Sequence, residues 1–182
     1  VDPAGFEAVE KERGLKGSKL DETAIAIVKI DRDKWWVKDI LHGRWGIKET
    51  ATKILKAAEI CEATTVGIET GSLKNAIMPY LEDEMRSENR FVHIDELRHG
   101  GKKKTERITW SLQGRMEHGQ ISFNDQRKWK TFLGQMNDFP NHLAHDDLLD
   151  ALAYIDQVSV SDFAHSIELA DDWEVLDNVA GY

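Results

Sequence analysis

Apolar and polar positions along the 182-residue chain alternate between a two-residue period and a helical one. From Asp21 to Ile30, Ala24, Ala26 and Val28 are interleaved with Ile25, Ile27 and Ile30, and Trp35 to Leu41 is a second run rich in β-formers. The tight Asp31-Arg32-Asp33 turn lies between them, so the pair predicts an antiparallel hairpin. From Ile47 to Ala63, apolar Ile47, Ala51, Ile54, Leu55, Ala58 and Cys61 recur on one helical face. Thr64 to Glu69 has the composition of a short buried strand. Ser72 opens a second helix with Leu73, Ile77, Tyr80, Leu81 and Met85 as its stripe, and Pro79 inside it predicts a kink. Phe91 to Ile94 reads as a strand, Ile108 to Met116 as a helix, Gln120 to Phe123 as an extended piece, and Asp125 to Met136 as a helix capped by Asn124. The last helix starts near His145 and ends near Val158. Val1 to Gly5 has the pattern of a strand end whose beginning lies upstream, followed by a polar loop through Lys19.

This order predicts an α/β fold: a mixed sheet with an antiparallel hairpin on one side, parallel strands joined by helical crossovers on the other, and flanking helices. Functional groups in such sheets gather at the carboxyl ends of parallel strands. Asp2 ends the first strand and Glu69 ends the strand expected beside it, with Gly5 and Gly71 close behind where the backbone must turn. A third acidic group, His145-Asp146-Asp147-Leu148-Leu149-Asp150, opens the last helix. Asp147 and Asp150 are three apart and share a face, opposite Leu148, Leu149, Leu152 and Ile155. Asp146 reads equally as a ligand or as a helix cap, and His145 as a carboxylate-orienting group or a packing residue.

Oxygen ligands from three separate elements, without cysteine or paired histidine, suit Mg²⁺ or Mn²⁺. Two such ions about 4 Å apart activate a water and stabilise the leaving oxygen of a phosphodiester displacement. The single Cys61 excludes an internal disulfide and a cysteine-based zinc site. No apolar run approaches the roughly 20 residues of a membrane span.

A net charge of −9 argues at first against a nucleic-acid partner. Its distribution reverses the argument. Much of the acidic excess lies between Asp162 and Asp177, whereas Arg98, Lys102, Lys103, Lys104 and Arg107 form a dense basic patch suited to phosphate contacts. Ser72 and Lys74, just after Glu69, are further candidates for DNA contact. Trp35, Trp36 and Trp110 read as core or hairpin packing. Gly14-Leu15-Lys16-Gly17-Ser18-Lys19 lacks the residue order of a phosphate-binding loop.

Val1-Asp2-Pro3-Ala4-Gly5, Asp21, Gly67-Ile68-Glu69-Thr70 and the segment from His145 to Ala153 together resemble the C-terminal nuclease domain of tailed-bacteriophage large terminases. The resemblance implies a ribonuclease H-like mixed five-stranded sheet over residues 1–160, with the acidic tail 161–182 outside it. It further implies a metal-dependent endonuclease that cuts double-stranded concatemeric viral DNA during genome packaging. Asp2, Glu69 and Asp147 would be the catalytic metal ligands, with Asp146, Asp150 and Asp21 as further acidic candidates. The partners implied are DNA, an N-terminal ATPase domain of the same full-length protein, the terminase small subunit and the portal protein, in the cytoplasm of an infected bacterium. No motor motif is present and the sequence opens without Met, as expected of a domain taken from a longer protein. The competing readings are a Holliday-junction resolvase and a non-catalytic DNA- or portal-docking module of the same fold.

Overall fold

The computed structural model describes residues 1–3, 22–98, 100–101, 103–124, 126–141 and 145–160. Asp21, Lys102, the glycine-containing loop up to Lys19 and the acidic tail therefore lie outside the described residues.

The hairpin forms where the alternation places it. Strands β1 (Thr23–Asp31) and β2 (Lys34–Gly43) pair antiparallel from Thr23 opposite Gly43 to Asp31 opposite Lys34, with Arg32 at φ 55° in the turn. Helix α1 (Ile47–Ile60) leads to β3 (Thr65–Glu69), and α2 (Ser72–Ser87) crosses over to β4 (His93–Leu97), which pairs parallel with β3. Then α3 (Lys104–Glu117) precedes β5 (Ile121–Phe123), which pairs parallel with β2. A 3-10 turn (Gln126–Trp129) leads into α4 (Lys130–Asp138), and α5 (Asp147–Ala153) follows.

The strands do not form one continuous five-stranded sheet. They form a three-stranded sheet ordered β1-β2-β5 and a two-stranded sheet of β3 and β4. Val1 and Asp2 connect the two. Asp2 bridges Ala24 antiparallel through mutual backbone bonds of 2.9 Å, while the Val1 nitrogen donates to the Gly67 carbonyl and Glu69 N–H donates to the Val1 carbonyl.

Alternation along β1 divides its side chains between two cores. Ile25 and Ile27 face the layer of α1 and α2, packing with Ile54, Leu55, Ile77 and Leu81. Ala26, Val28 and Ile30 face α3, α4 and α5, where Trp35, Ile108, Phe132, Leu149 and Leu152 are buried. Each large side chain buried in this way contributes about 1.5–3 kcal/mol, so helices on both faces hold the strand ends in place.

Several boundaries differ from the sequence reading for physical reasons. The fourth strand continues through Asp95 and Glu96 to Leu97, because ladder bonds to β3 carry the polar residues and Leu97 is buried, whereas Phe91 is exposed. Asn124 does not cap the following helix; its side chain donates to the Lys38 carbonyl. Trp35 is buried as expected, but Trp36 and Trp110 are exposed at 46% and 65% and are not core residues. Most consequential for the site, α3 begins at Lys104, four residues before the expected Ile108.

Candidate active site

Asp2 and Glu69 meet because each ends a short extended segment, and the two segments are locked side by side by the Val1–Glu69 and Val1–Gly67 bonds. Their side chains share a hydrogen bond. Burial pushes the Asp2 carboxyl well above the ordinary carboxylate range, and the bond with Glu69 and the nearby charge of Asp150 push it further the same way. In the metal-free protein Asp2 thus holds a proton next to Glu69.

Helix α5 brings the third acidic group to the same place. Glu22, just before β1, donates its N–H to Asp147 Oδ2 at 3.2 Å, tying the helix start to the strand that pairs with Asp2. Asp146 stands at the N-cap position but makes no side-chain cap bond; the Leu148 N–H is satisfied instead by Gln135 Oε1 of α4 at 3.0 Å. The capping reading of Asp146 is therefore not realised. Its carboxylate faces Lys104.

Lys104 occupies the middle of this cluster. Its Nζ lies 2.8 Å from Asp146 Oδ1, 3.5 Å from Asp150 Oδ2 and 3.6 Å from Asp147 Oδ1. Burial works against the charged ammonium, yet the hydrogen bond it donates to Asp146 and the charges of Asp150 and Asp2 raise its pKa overall. One helical turn on, Arg107 grips Asp150 with both Asp150 oxygens at 2.7 Å, and its guanidinium lies 4.5 Å from the Tyr154 ring centre. Burial raises the Asp150 carboxyl and Arg107 pulls it back, as expected of a charge pair taken out of water. Asp150 is 2% exposed and Arg107 6%. Asp147 and Asp150 do face one side of the helix, but that side is interior rather than open. His145 Nδ1 stands 3.6 Å from Asp147 Oδ2.

The basic patch divides. Lys104 and Arg107, expected as loop residues facing phosphate, are in the first turn of α3 and point into the carboxylates. Lys74 pairs with Glu96 on β4. Arg98 and Lys103 are exposed, as is Ser72 at the start of α2. These three remain open to a phosphate backbone. Sequence reasoning missed the internal role of Lys104 and Arg107 because both sit at the edge of a glycine- and lysine-rich stretch that reads as solvated. The one available signal was the three-residue spacing between Lys104 and Arg107, which aligns them on a helix face.

Five acidic residues and one lysine thus assemble from four parts of the chain, with hard oxygen donors throughout. Among the described residues, no three His, Cys, Asp or Glu side chains are grouped so as to hold a metal ion. The ammonium of Lys104 stands among Asp146, Asp147 and Asp150 instead, and Arg107 engages Asp150. No helix among the described residues is long and apolar enough to cross a membrane.

The sequence model of the family described as Terminase Bacteriophage T7, Ribonuclease H-like domain, matches residues 1–121. That range includes Asp2, Glu69, Lys104 and Arg107 and ends before α5. No curated protein matches the chain. The matched segment is well over half of the 182 residues, it carries the strand-end carboxylates, and its α/β architecture with antiparallel and parallel strands is compatible with a ribonuclease H-like fold; the chain belongs to the family of the bacteriophage T7 terminase ribonuclease H-like domain, a terminase nuclease domain.

Proposed function

We propose that the chain is a divalent-metal-dependent endodeoxyribonuclease that cuts double-stranded concatemeric viral DNA as genomes are packaged. The observation that carries this reading is the pairing of Asp2 with Glu69 at the strand ends, within electrostatic reach of Asp150 and of the Lys104 ammonium that Asp146, Asp147 and Asp150 surround. A site that draws one cation among its carboxylates has the charge and the oxygen donors to suit Mg²⁺ or Mn²⁺. Asp2, Glu69, Asp146 and Asp147 would hold the ions, beside Asp150 in its pair with Arg107. When bound, such ions supply an activated water and offset the charge that develops on the phosphate.

The chain's own residues do the remaining work. The backbone bond from Glu69 N–H to the Val1 carbonyl fixes the Glu69 carboxylate relative to Asp2. The proton on Asp2 must leave before both carboxylates act as ligands, so loading is coupled to proton release. Arg107 holds Asp150 and so keeps the first turn of α5 in register with α3. Arg98, Lys103 and Ser72 would meet the DNA backbone, contacts that position the duplex without reading its sequence. In this reading the domain acts beside an ATPase domain of the full-length protein, with the small subunit and portal protein as partners, in the cytoplasm of the infected host.

The test is nicking of supercoiled plasmid with Mg²⁺ or Mn²⁺, comparing the parent with Asp2→Asn combined with Glu69→Gln. Cutting is expected to fall by about 100-fold or more in the variant, since direct ligands matter at least as much as the groups that orient them. Undiminished cutting by the purified variant would sink the mechanism.

A further inference from the structure

Toward its turn, the hairpin has an open outer face. Alternation puts Lys29 and Asp31 of β1 on the side of Ile25 and Ile27, and both are exposed where those two isoleucines pack against helices. Trp36 lies directly opposite Lys29 in the ladder, with Lys34 two residues before it and Lys38 two residues after it, both exposed. Ser122 of β5 is its register partner on the other side. The Trp36 indole is 46% exposed, whereas the adjacent Trp35 is 1% exposed in the opposite core.

One large apolar ring is thus surrounded by three lysines, in a chain whose net charge is −9. Asp31 stands opposite Lys34, and Asp39, next to Lys38 along the strand, pairs with Lys128 at 3.8 Å. Among the described residues, Lys29, Lys34 and Lys38 have no ion-pair partner of their own. The centre of a protein interface is apolar and poor in lysine, and Trp36 is the single large apolar side chain among these strand residues. Duplex DNA would offer phosphates to the lysines but keeps its base faces stacked inside. An unpaired strand offers both phosphates and base faces, and a base stacked on an aromatic ring binds with little regard to sequence.

We propose that this face binds single-stranded DNA, with a base stacked on Trp36 and the flanking phosphates met by Lys29, Lys34 and Lys38. The choice of DNA over RNA rests on the DNA-cutting reading above; the stacking and charge argument does not. The surface is separate from the carboxylates. Lys29 stands five residues along β1 from Ala24, the residue that bridges Asp2, or about 17 Å at roughly 3.3 Å per residue. The helix that follows Asp146 packs on the other side of the hairpin, against Ala26 and Val28.

The experiment measures binding of a fluorescein-labelled oligothymidylate of about twelve nucleotides, within the length that one such site spans. It uses the full 182-residue chain, fluorescence anisotropy and EDTA, so that this binding and metal-dependent nicking can fail independently. Trp36→Ala is expected to weaken binding by about tenfold or more, the usual loss for one stacked base, and Trp36→Phe to restore most of it. An abasic oligomer of the same length is expected to bind the parent about as weakly as oligothymidylate binds Trp36→Ala. Lys29→Gln combined with Lys38→Gln is expected to reduce the slope of log affinity against log salt by about 1.4, which is two phosphate contacts at roughly 0.7 each. Equally tight binding of the abasic oligomer by the parent would overturn the proposal without recourse to any variant. So would equal or tighter binding of a duplex of that sequence, which assigns the face to duplex backbone, or tighter binding of oligouridylate, which assigns it to RNA. Self-association of the free chain that Trp36→Ala abolishes would assign the face to a second copy and overturn it as well.

Discussion

Lys104 is the residue through which the site's electrostatics are most directly adjusted. Its ammonium lies within 3.6 Å of carboxylate oxygens of Asp146, Asp147 and Asp150 at the start of α5, beside the proposed metal ligands. A bound ion and the ammonium would repel each other at that distance, and each compensates the same negative charge. Replacing Lys104 with Met is therefore expected to have opposite effects with and without metal. The metal-free protein melts at a lower temperature, while Mn²⁺ affinity measured by calorimetry rises by about tenfold. A loss of Mn²⁺ affinity would show instead that Lys104 helps the site to hold its ion.

Asp2 gives the same site a pH dependence whose sign follows from its raised pKa. Between the ordinary value of 3.8 and the elevated folded value, the native protein binds a proton that the unfolded chain does not. The stability this contributes is fully present below the unfolded value and is lost as pH rises through the folded one. The metal-free protein is expected to lose melting temperature over that interval, and Asp2→Asn is expected to flatten the slope. A slope unchanged in the variant would place its origin in another group.

Elements explain which parts of the site could be read from the sequence. The hairpin and the strand ending in Glu69 were legible because their apolar patterns are local: alternation in one, a short buried run in the other. The true start of α3 was not, because what holds its first turn is the buried pair between Arg107 and Asp150, 43 residues apart. No window along the sequence contains both partners. The early start converts two residues expected to grip phosphate into residues that grip carboxylates. The shared face of Asp147 and Asp150 follows from their spacing alone, but only the tertiary arrangement shows Arg107 filling it.

Gly67 illustrates an element-scale constraint of another kind. A Cβ at this position would stand 2.7 Å from Val158 Cγ2 and 2.9 Å from both terminal methyl groups of Leu97. β3 can therefore lie close to the helical residues 155–160 and to β4 only with glycine at its centre. Gly67→Ala is expected to destabilise the protein by about 1–3 kcal/mol, the usual cost of overpacking a filled interior, as measured by denaturant unfolding. A neutral effect would mean that Val158 and Leu97 can give way.

At the scale of the molecule, the net charge of −9 and the proposed phosphate partner are reconciled by placement rather than by number. Part of the acidic charge lies in the interior site, where Lys104 and Arg107 offset it, while Arg98 and Lys103 are exposed. Helices on both faces of antiparallel and parallel strands are compatible with the expected ribonuclease H-like architecture. Its central line is where sequence and structure part, since two sheets stand in place of one. The sequence supplied the strand-forming patterns of both, but the junction falls at Val1 and Asp2, where a two-residue stretch has no periodicity to read.

That junction also has a mechanical meaning. A pull applied to the backbone at Val1 is borne first by its bonds to Gly67 and Glu69 and, one residue later, by the paired bonds between Asp2 and Ala24. Tension entering there loads the bonds that set the Asp2 and Glu69 carboxylates side by side, together with the one core to which Val1 belongs. The spacing of the groups proposed to cut DNA is thus coupled directly to a force applied at Val1.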